Sequence, residues 1–125
     1  MRLSRQAIVF VLSAVGMATQ APSVPAATEC SADVRARLSR EETRDEVKET
    51  TFAVELDTKE ACAKVYVDFT STERLFTGEE ITTTQRGWRR TTGPVTYKVS
   101  HRIARDSDLV NWKFSVARCV VCGTE

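Results

Sequence analysis

Cys119 and Cys122 are separated by two residues, the spacing that redox proteins use to cycle between dithiol and disulfide, and two more cysteines lie upstream at Cys30 and Cys62. A thiol exchanges as its thiolate, and redox motifs of this kind commonly open a helix whose N-terminus lowers the thiol pKa. Here the pair follows a strand-like run and the sequence given ends at Glu125, so no helix is expected after it. Structural disulfides are the preferred reading of the four cysteines. Thiol–disulfide exchange through Cys119 and Cys122 is the alternative, and a four-cysteine zinc site is a weaker one, since only one Cys-x-x-Cys knuckle is present. His101 is the only histidine. It lies in phase with Val99 and Ile103, which points to a half-buried structural ring. No Gly-x-Ser-x-Gly elbow, no phosphate-cradling glycine loop and no diagnostic carboxylate spacing occur, so neither an enzyme nor a cofactor or metal site is expected. The remaining candidate is Arg86-Gly87-Trp88-Arg89-Arg90. A tryptophan among arginines suits partner recognition through charge pairing and cation–π contact, with Arg86, Trp88, Arg89 and Arg90 as the residues concerned.

Those residues are positioned by strands. Apolar residues recur with period two, the mark of half-buried β-structure. Cys30, Ala32, Val34, Ala36 and Leu38 share one phase. So do Phe52, Val54 and Leu56; then Ala61, Ala63, Val65, Val67 and Phe69; then Val95, Tyr97, Val99, His101 and Ile103; then Val110, Trp112, Phe114 and Val116. Glu80–Arg86 is a weaker strand, carried by Ile81 and the β-branched Thr82-Thr83-Thr84. Turn chemistry separates these runs at 57–60, 71–80, 91–94 and 106–108. Ser39–Lys48 is charged and reads as a helix or a connection. Six or seven short strands, each with one apolar face, need a second sheet to cover that face. The expected fold is therefore all-β, an immunoglobulin-like antiparallel β-sandwich with Trp112 at its centre. Thr82–Thr84 is an expected sheet edge, able to pair with another strand.

Strand phase also orders the cysteines. Cys30 and Cys122 fall on core phases, Cys62 and Cys119 on polar ones, and side chains pointing to opposite faces do not meet. The expected bridges are therefore Cys30–Cys122 and Cys62–Cys119. A bulge near Arg118, which falls on the core phase, would exchange the two partners.

The first 26 residues read as a cleaved signal peptide: Arg2 and Arg5, then an apolar run over 7–18 too short to span a bilayer, then Val24-Pro25-Ala26 before the cut. Residues 27–125 follow as a single domain. The precursor carries 18 Lys+Arg and 17 Asp+Glu; losing Arg2 and Arg5 leaves 16 against 17, a net charge of −1. That balance gives no reason to expect a nucleic-acid partner or strong attraction to anionic membranes. No integral membrane segment is expected after cleavage, and lipidation at Cys30 is not expected. A periplasmic or secreted location follows, where disulfides persist.

With the strands laid out, Ala61–Cys119 resembles the small periplasmic immunoglobulin-like factors of curli (amyloid fimbria) assembly. The likeness lies in the strand opened by Cys62-Ala63-Lys64-Val65, the polar stretch Thr82–Arg90, and the pair Thr96–Ile103 and Leu109–Val116 with a short acidic turn between them. It implies a non-enzymatic chaperone whose partner is another protein, an exported fibre subunit. Three functions are thus carried forward: an exported binding or assembly factor, a thiol–disulfide redox protein, and a small secreted inhibitor or immunity-type protein acting through a loop such as 71–78 or 86–94.

Overall fold

The computed structural model describes residues 27–124; the signal peptide assigned to residues 1–26 lies outside them. Six antiparallel strands follow one another: β1 (Ala32–Arg44), β2 (Val47–Thr58), β3 (Ala63–Arg74), β4 (Glu80–Thr91), β5 (Val95–Ala104) and β6 (Asp108–Val121). They form two three-stranded sheets, in the orders β1-β2-β5 and β4-β3-β6. Strand β5 returns to lie beside β2, and β6 beside β3, so the chain alternates between sheets as immunoglobulin-like sandwiches do. The strands are longer than the sequence suggests, because several predicted connections are strand. Ser39–Lys48 is neither helix nor loop. β1 and β2 run on through it as a hairpin, closed at Asp45-Glu46 with Asp45 at φ 56°, a left-handed conformation that aspartate tolerates.

The two central strands supply the core. Phe52, Val54 and Leu56 of β2 are completely buried and face Ala63, Val65, Val67 and Phe69 of β3. Phe52, rather than Trp112, occupies the centre. Its ring lies 5.4 Å from Phe69, 4.6 Å from Trp112 and 5.4 Å from Phe114, while Trp112 remains half-buried on the edge strand.

Two irregularities in β6 decide what its side chains face. Thr72 pairs with Asn111 and Glu73 with Leu109, so Val110 is an extra residue; Leu109 packs inward and Val110 is exposed. Likewise Val67 pairs with Val116 and Tyr66 with Arg118, so Ala117 is extra. A bulge residue shifts everything beyond it to the other face. Arg118 is thereby turned outward to Glu29 (2.9 Å) and Cys119 inward, where it is 2 % exposed.

The bridges are consequently Cys30–Cys119 and Cys62–Cys122, with Cα separations of 5.0 and 5.4 Å, in place of the pairing expected from uninterrupted alternation. The phase rule itself holds. Two core-facing sulfurs meet, and the other two meet outside the core phase, once Ala117 is counted as a bulge. Both bridges lie at one end of the sandwich. There the segment 28–30 pairs with the end of β6: Cys30 N–H donates to the Cys119 carbonyl, and Val121 N–H to that of Thr28, both at 2.9 Å.

Candidate functional site

Strand β4 is unlike the other five. Every residue from Glu80 to Arg90 is exposed, and only Thr91 is buried, with its hydroxyl donating to the Gly93 carbonyl in the turn that follows. Apolar burial does not hold this strand in place. Its ladder with β3 runs in unbroken register from Thr91↔Ala63 to Glu80↔Arg74. Cross-strand side-chain pairs reinforce it on the outer face: Thr84–Thr70 at 3.0 Å, Thr82–Thr72 at 2.8 Å, and Arg86 to Asp68 at 2.7 and 3.1 Å. The Arg86 guanidinium beside Asp68 holds that carboxyl below its ordinary value. Lys64 reaches over the Trp88 ring at 4.3 Å, with Tyr66 at 5.3 Å from the same ammonium.

Arg86–Arg90 therefore does not form one surface loop. Alternation along β4 divides it. Arg86, Trp88 and Arg90 stand on the outer face opposite Asp68, Tyr66 and Lys64, while Gly87 and Arg89 turn toward the other sheet opposite Val67 and Val65. Arg89 lies over the Tyr97 ring of β5 at 3.9 Å, which makes it a lip between the sheets rather than part of an outer patch. Burial pushes the Tyr97 phenol up, with Arg89 pulling it back down.

On this flank the sheets do not close. The inward positions of β4 are Ile81, Thr83, Gln85, Gly87 and Arg89, and none of them fills the space between sheets. A hollow of about 290 Å³ remains, lined by Val67, Phe69, Phe114, Tyr97 and Val99 and crossed by β4 at Gly87. The opposite flank is stapled by Cys30–Cys119.

The four edges of the two sheets differ in how they are guarded. β6 carries two bulges and is covered at one end by 28–30; β1 carries a register shift between Leu38 and Arg40; β5 is ten residues long and holds Lys98. Bulges and lysines discourage pairing with another chain. β4 is twelve residues long and holds no bulge, lysine or proline. The edge expected at Thr82–Thr84 is thus part of a longer one. Sequence reading missed Gly87 as the window of a hollow, and Lys64, Tyr66 and Tyr97 as neighbours of the arginine-rich stretch. The one signal it offered was a glycine amid β-branched and long polar residues.

His101 stands on β5 at the other end of the flank, edge-on to Phe69 at 5.2 Å. Burial lowers its pKa, and Glu73 raises it by less. The unfolded chain then binds the proton more tightly than the folded one. Its contribution to stability is fully present above the unfolded value of about 6.5 and is lost as pH falls through the lowered folded value. Replacing His101 with phenylalanine is expected to flatten the fall in urea midpoint below about pH 6.5; an unchanged slope would assign that fall to other groups.

Cys119 and Cys122 belong to different bridges, so the Cys-x-x-Cys spacing does not correspond to a local redox disulfide. Among the described residues no group of three or more His, Cys, Asp or Glu is placed to hold a metal, and no helix is long and apolar enough to cross a membrane. Two disulfides fit an extracellular or otherwise oxidising compartment.

No family model matches the chain, and no curated protein matches it. One solved structure, described as Northeast Structural Genomics Consortium target SoR45, aligns with 74% of this chain and 82% of its own at 8% identity, with a TM-score of 0.30. A likeness that weak carries no argument, and none of these comparisons shows the resemblance to curli assembly factors.

Proposed function

We propose that this protein is an exported, non-enzymatic binding factor that holds an extended segment of another protein against the edge of β4. One observation carries the reading: β4 is a twelve-residue edge strand, regular in register and exposed from Glu80 to Arg90, while the other three edges are guarded. Pairing by strand addition takes its affinity from main-chain hydrogen bonds, which any extended partner can make, and its selectivity from alternate side chains. Trp88 and Arg86 on the outer face, and Arg89 on the inner, supply that selectivity. A fibre-forming exported subunit, which presents unpaired strands before assembly, is the partner class suited to such an edge.

The test is the lag time of fibre growth of an exported amyloid-forming subunit. The protein is expected to lengthen the lag at substoichiometric ratio. Proline variants then locate the surface. Thr84 and Gln85 are adjacent, so one points its amide toward β3 and the other toward solvent. Of Thr84→Pro and Gln85→Pro, the variant that keeps the wild-type circular dichroism and melting temperature removes an outward amide, and it is expected to lose about tenfold or more in potency, as befits lost main-chain pairing. Undiminished potency in that folded variant removes the β4 reading.

A second reading rests on Phe76, 78% exposed in the β3–β4 turn. A large apolar side chain at a hairpin tip suits a secreted inhibitor that inserts a loop into its target. Phe76→Ser would abolish that activity and leave fibre delay unchanged.

A further inference from the structure

Strand β4 is complementary to itself. We propose that two copies of this chain pair their β4 strands antiparallel about a two-fold axis at Thr84, each inserting Ile81 beside Gly87 of the other. The inference rests on the reading of β4 as the binding edge and adds its resting partner, a second copy that a client must displace.

The register follows from matching residues across such an axis. With Thr84 opposite Thr84, Ile81 falls opposite Gly87, Glu79 opposite Arg89, Thr82 opposite Arg86, and Glu80 opposite Trp88. All opposed pairs share a face, because antiparallel partners at this spacing keep the same phase. Ile81 and Gly87 are both inward-phase residues, across from Glu73 and Val67 of β3. Ile81 is 42% exposed, a large apolar side chain left partly open to solvent in the single chain.

Gly87 is the residue with room to receive it. A Cβ placed there would meet nothing within 4 Å, and its φ is outside the left-handed range, so the backbone does not demand glycine. Glycine inside a strand commonly marks close approach by another group. The hollow behind it, about 290 Å³ over Val67, Phe69 and Phe114, exceeds the roughly 150 Å³ that accepts a benzene ring. Directly opposed Cβ positions lie about 5 Å apart, so a branched side chain can lean over the glycine.

Charge agrees with this register, and the Ile81–Gly87 match separates it from one centred on Gln85, which also sets an acid, Glu80, across from an arginine, Arg90. β4 and β5 together carry Arg86, Arg89, Arg90, Lys98 and Arg102 against one carboxylate, Glu80. Edges this basic repel one another unless acids fall across from the arginines. The Thr84-centred register opposes no cation to a cation and brings Glu79, which leads into β4, to Arg89 in each copy. Sliding the partner by four residues, to centre on Arg86, stacks arginine on arginine. An isologous contact of this kind closes on itself and leaves no growing end, so it covers the open edge without building a fibre.

The test is sedimentation equilibrium on the exported, oxidised protein across micromolar to millimolar concentration. Wild type is expected to be a monomer–dimer mixture. Arg89→Glu places four carboxylates at two sites and is expected to weaken the dimer about tenfold or more. Adding Glu79→Arg restores opposite charges in the same places and is expected to restore the dimer. Gly87→Val, which fills the hollow, is expected to weaken it without lowering the melting temperature. The proposal is overturned by a wild type that stays monomeric throughout, or by a dimer indifferent to both the reversal and the swap. A monomer that still delays fibre growth removes the dimer and leaves client capture standing. A swap-sensitive dimer that leaves fibre growth untouched does the reverse.

Discussion

The double variant Cys30→Ala/Cys119→Ala is expected to lose about 4 kcal/mol of stability, in the upper part of the usual 2–5 kcal/mol range for removing a native disulfide from a small domain. Two contributions combine. The bridge spans 89 residues, so cutting it frees nearly the whole domain in the unfolded state. Cys119 is also 2 % exposed, packed with Leu56, Val65 and Val67, so truncating it leaves space in the core. Cys62→Ala/Cys122→Ala opens a span of 60 residues from a half-buried site and is expected to cost less, by roughly 1 kcal/mol. Native domains hold about 5–15 kcal/mol in total, so a loss of this size removes between about a quarter and most of the stability. Urea titration of the oxidised proteins measures both. A peptide map that joins Cys30 to Cys122 instead would refute the structural basis of the comparison.

Phe52→Ala carries the second large effect, an expected loss of about 3–5 kcal/mol. Phe52 has no exposed surface, and three aromatic rings surround it within 5.4 Å. The cavity left would be bordered by β2, β3 and β6 together, and central strands paired on both sides have little freedom to collapse into it. Phe52→Leu keeps most of the volume and is expected to cost about 1–2 kcal/mol. Trp112→Ala, at the half-buried edge, is expected to cost less than Phe52→Ala although it removes the larger ring. Guanidinium or urea midpoints rank the three; a larger loss at Trp112 would move the centre of the core to the position its sequence phase suggests.

The alternation of Phe52, Val54 and Leu56 and of Ala63, Val65, Val67 and Phe69 was legible because these strands are paired on both sides and buried on one face. Nothing local competes with the period-two rule there. Ser39–Lys48 misled because its charges are those of a solvated strand as much as of a helix: past Leu38 the β1–β2 hairpin extends beyond the core. Trp112 misled because size was taken for centrality, whereas an edge strand keeps one side of a large ring wet. Of the candidate site, Arg86, Trp88, Arg89 and Arg90 do lie on an edge strand. Their division between two faces follows from pairing with β3, and a loop reading hides it.

The sequence by itself determined that the described chain is a β-sandwich and which residues of β2 and β3 make its core, since side-chain alternation is a property of each strand alone. It also determined that any two bonded cysteines must share a face. The disulfide partners, the outward turn of Arg118, the open flank at Gly87 and the bare edge of β4 were decided by tertiary structure. Each depends on which strand lies beside which and in what register, and a single inserted residue such as Ala117 changes that register without altering the local pattern that announces a strand.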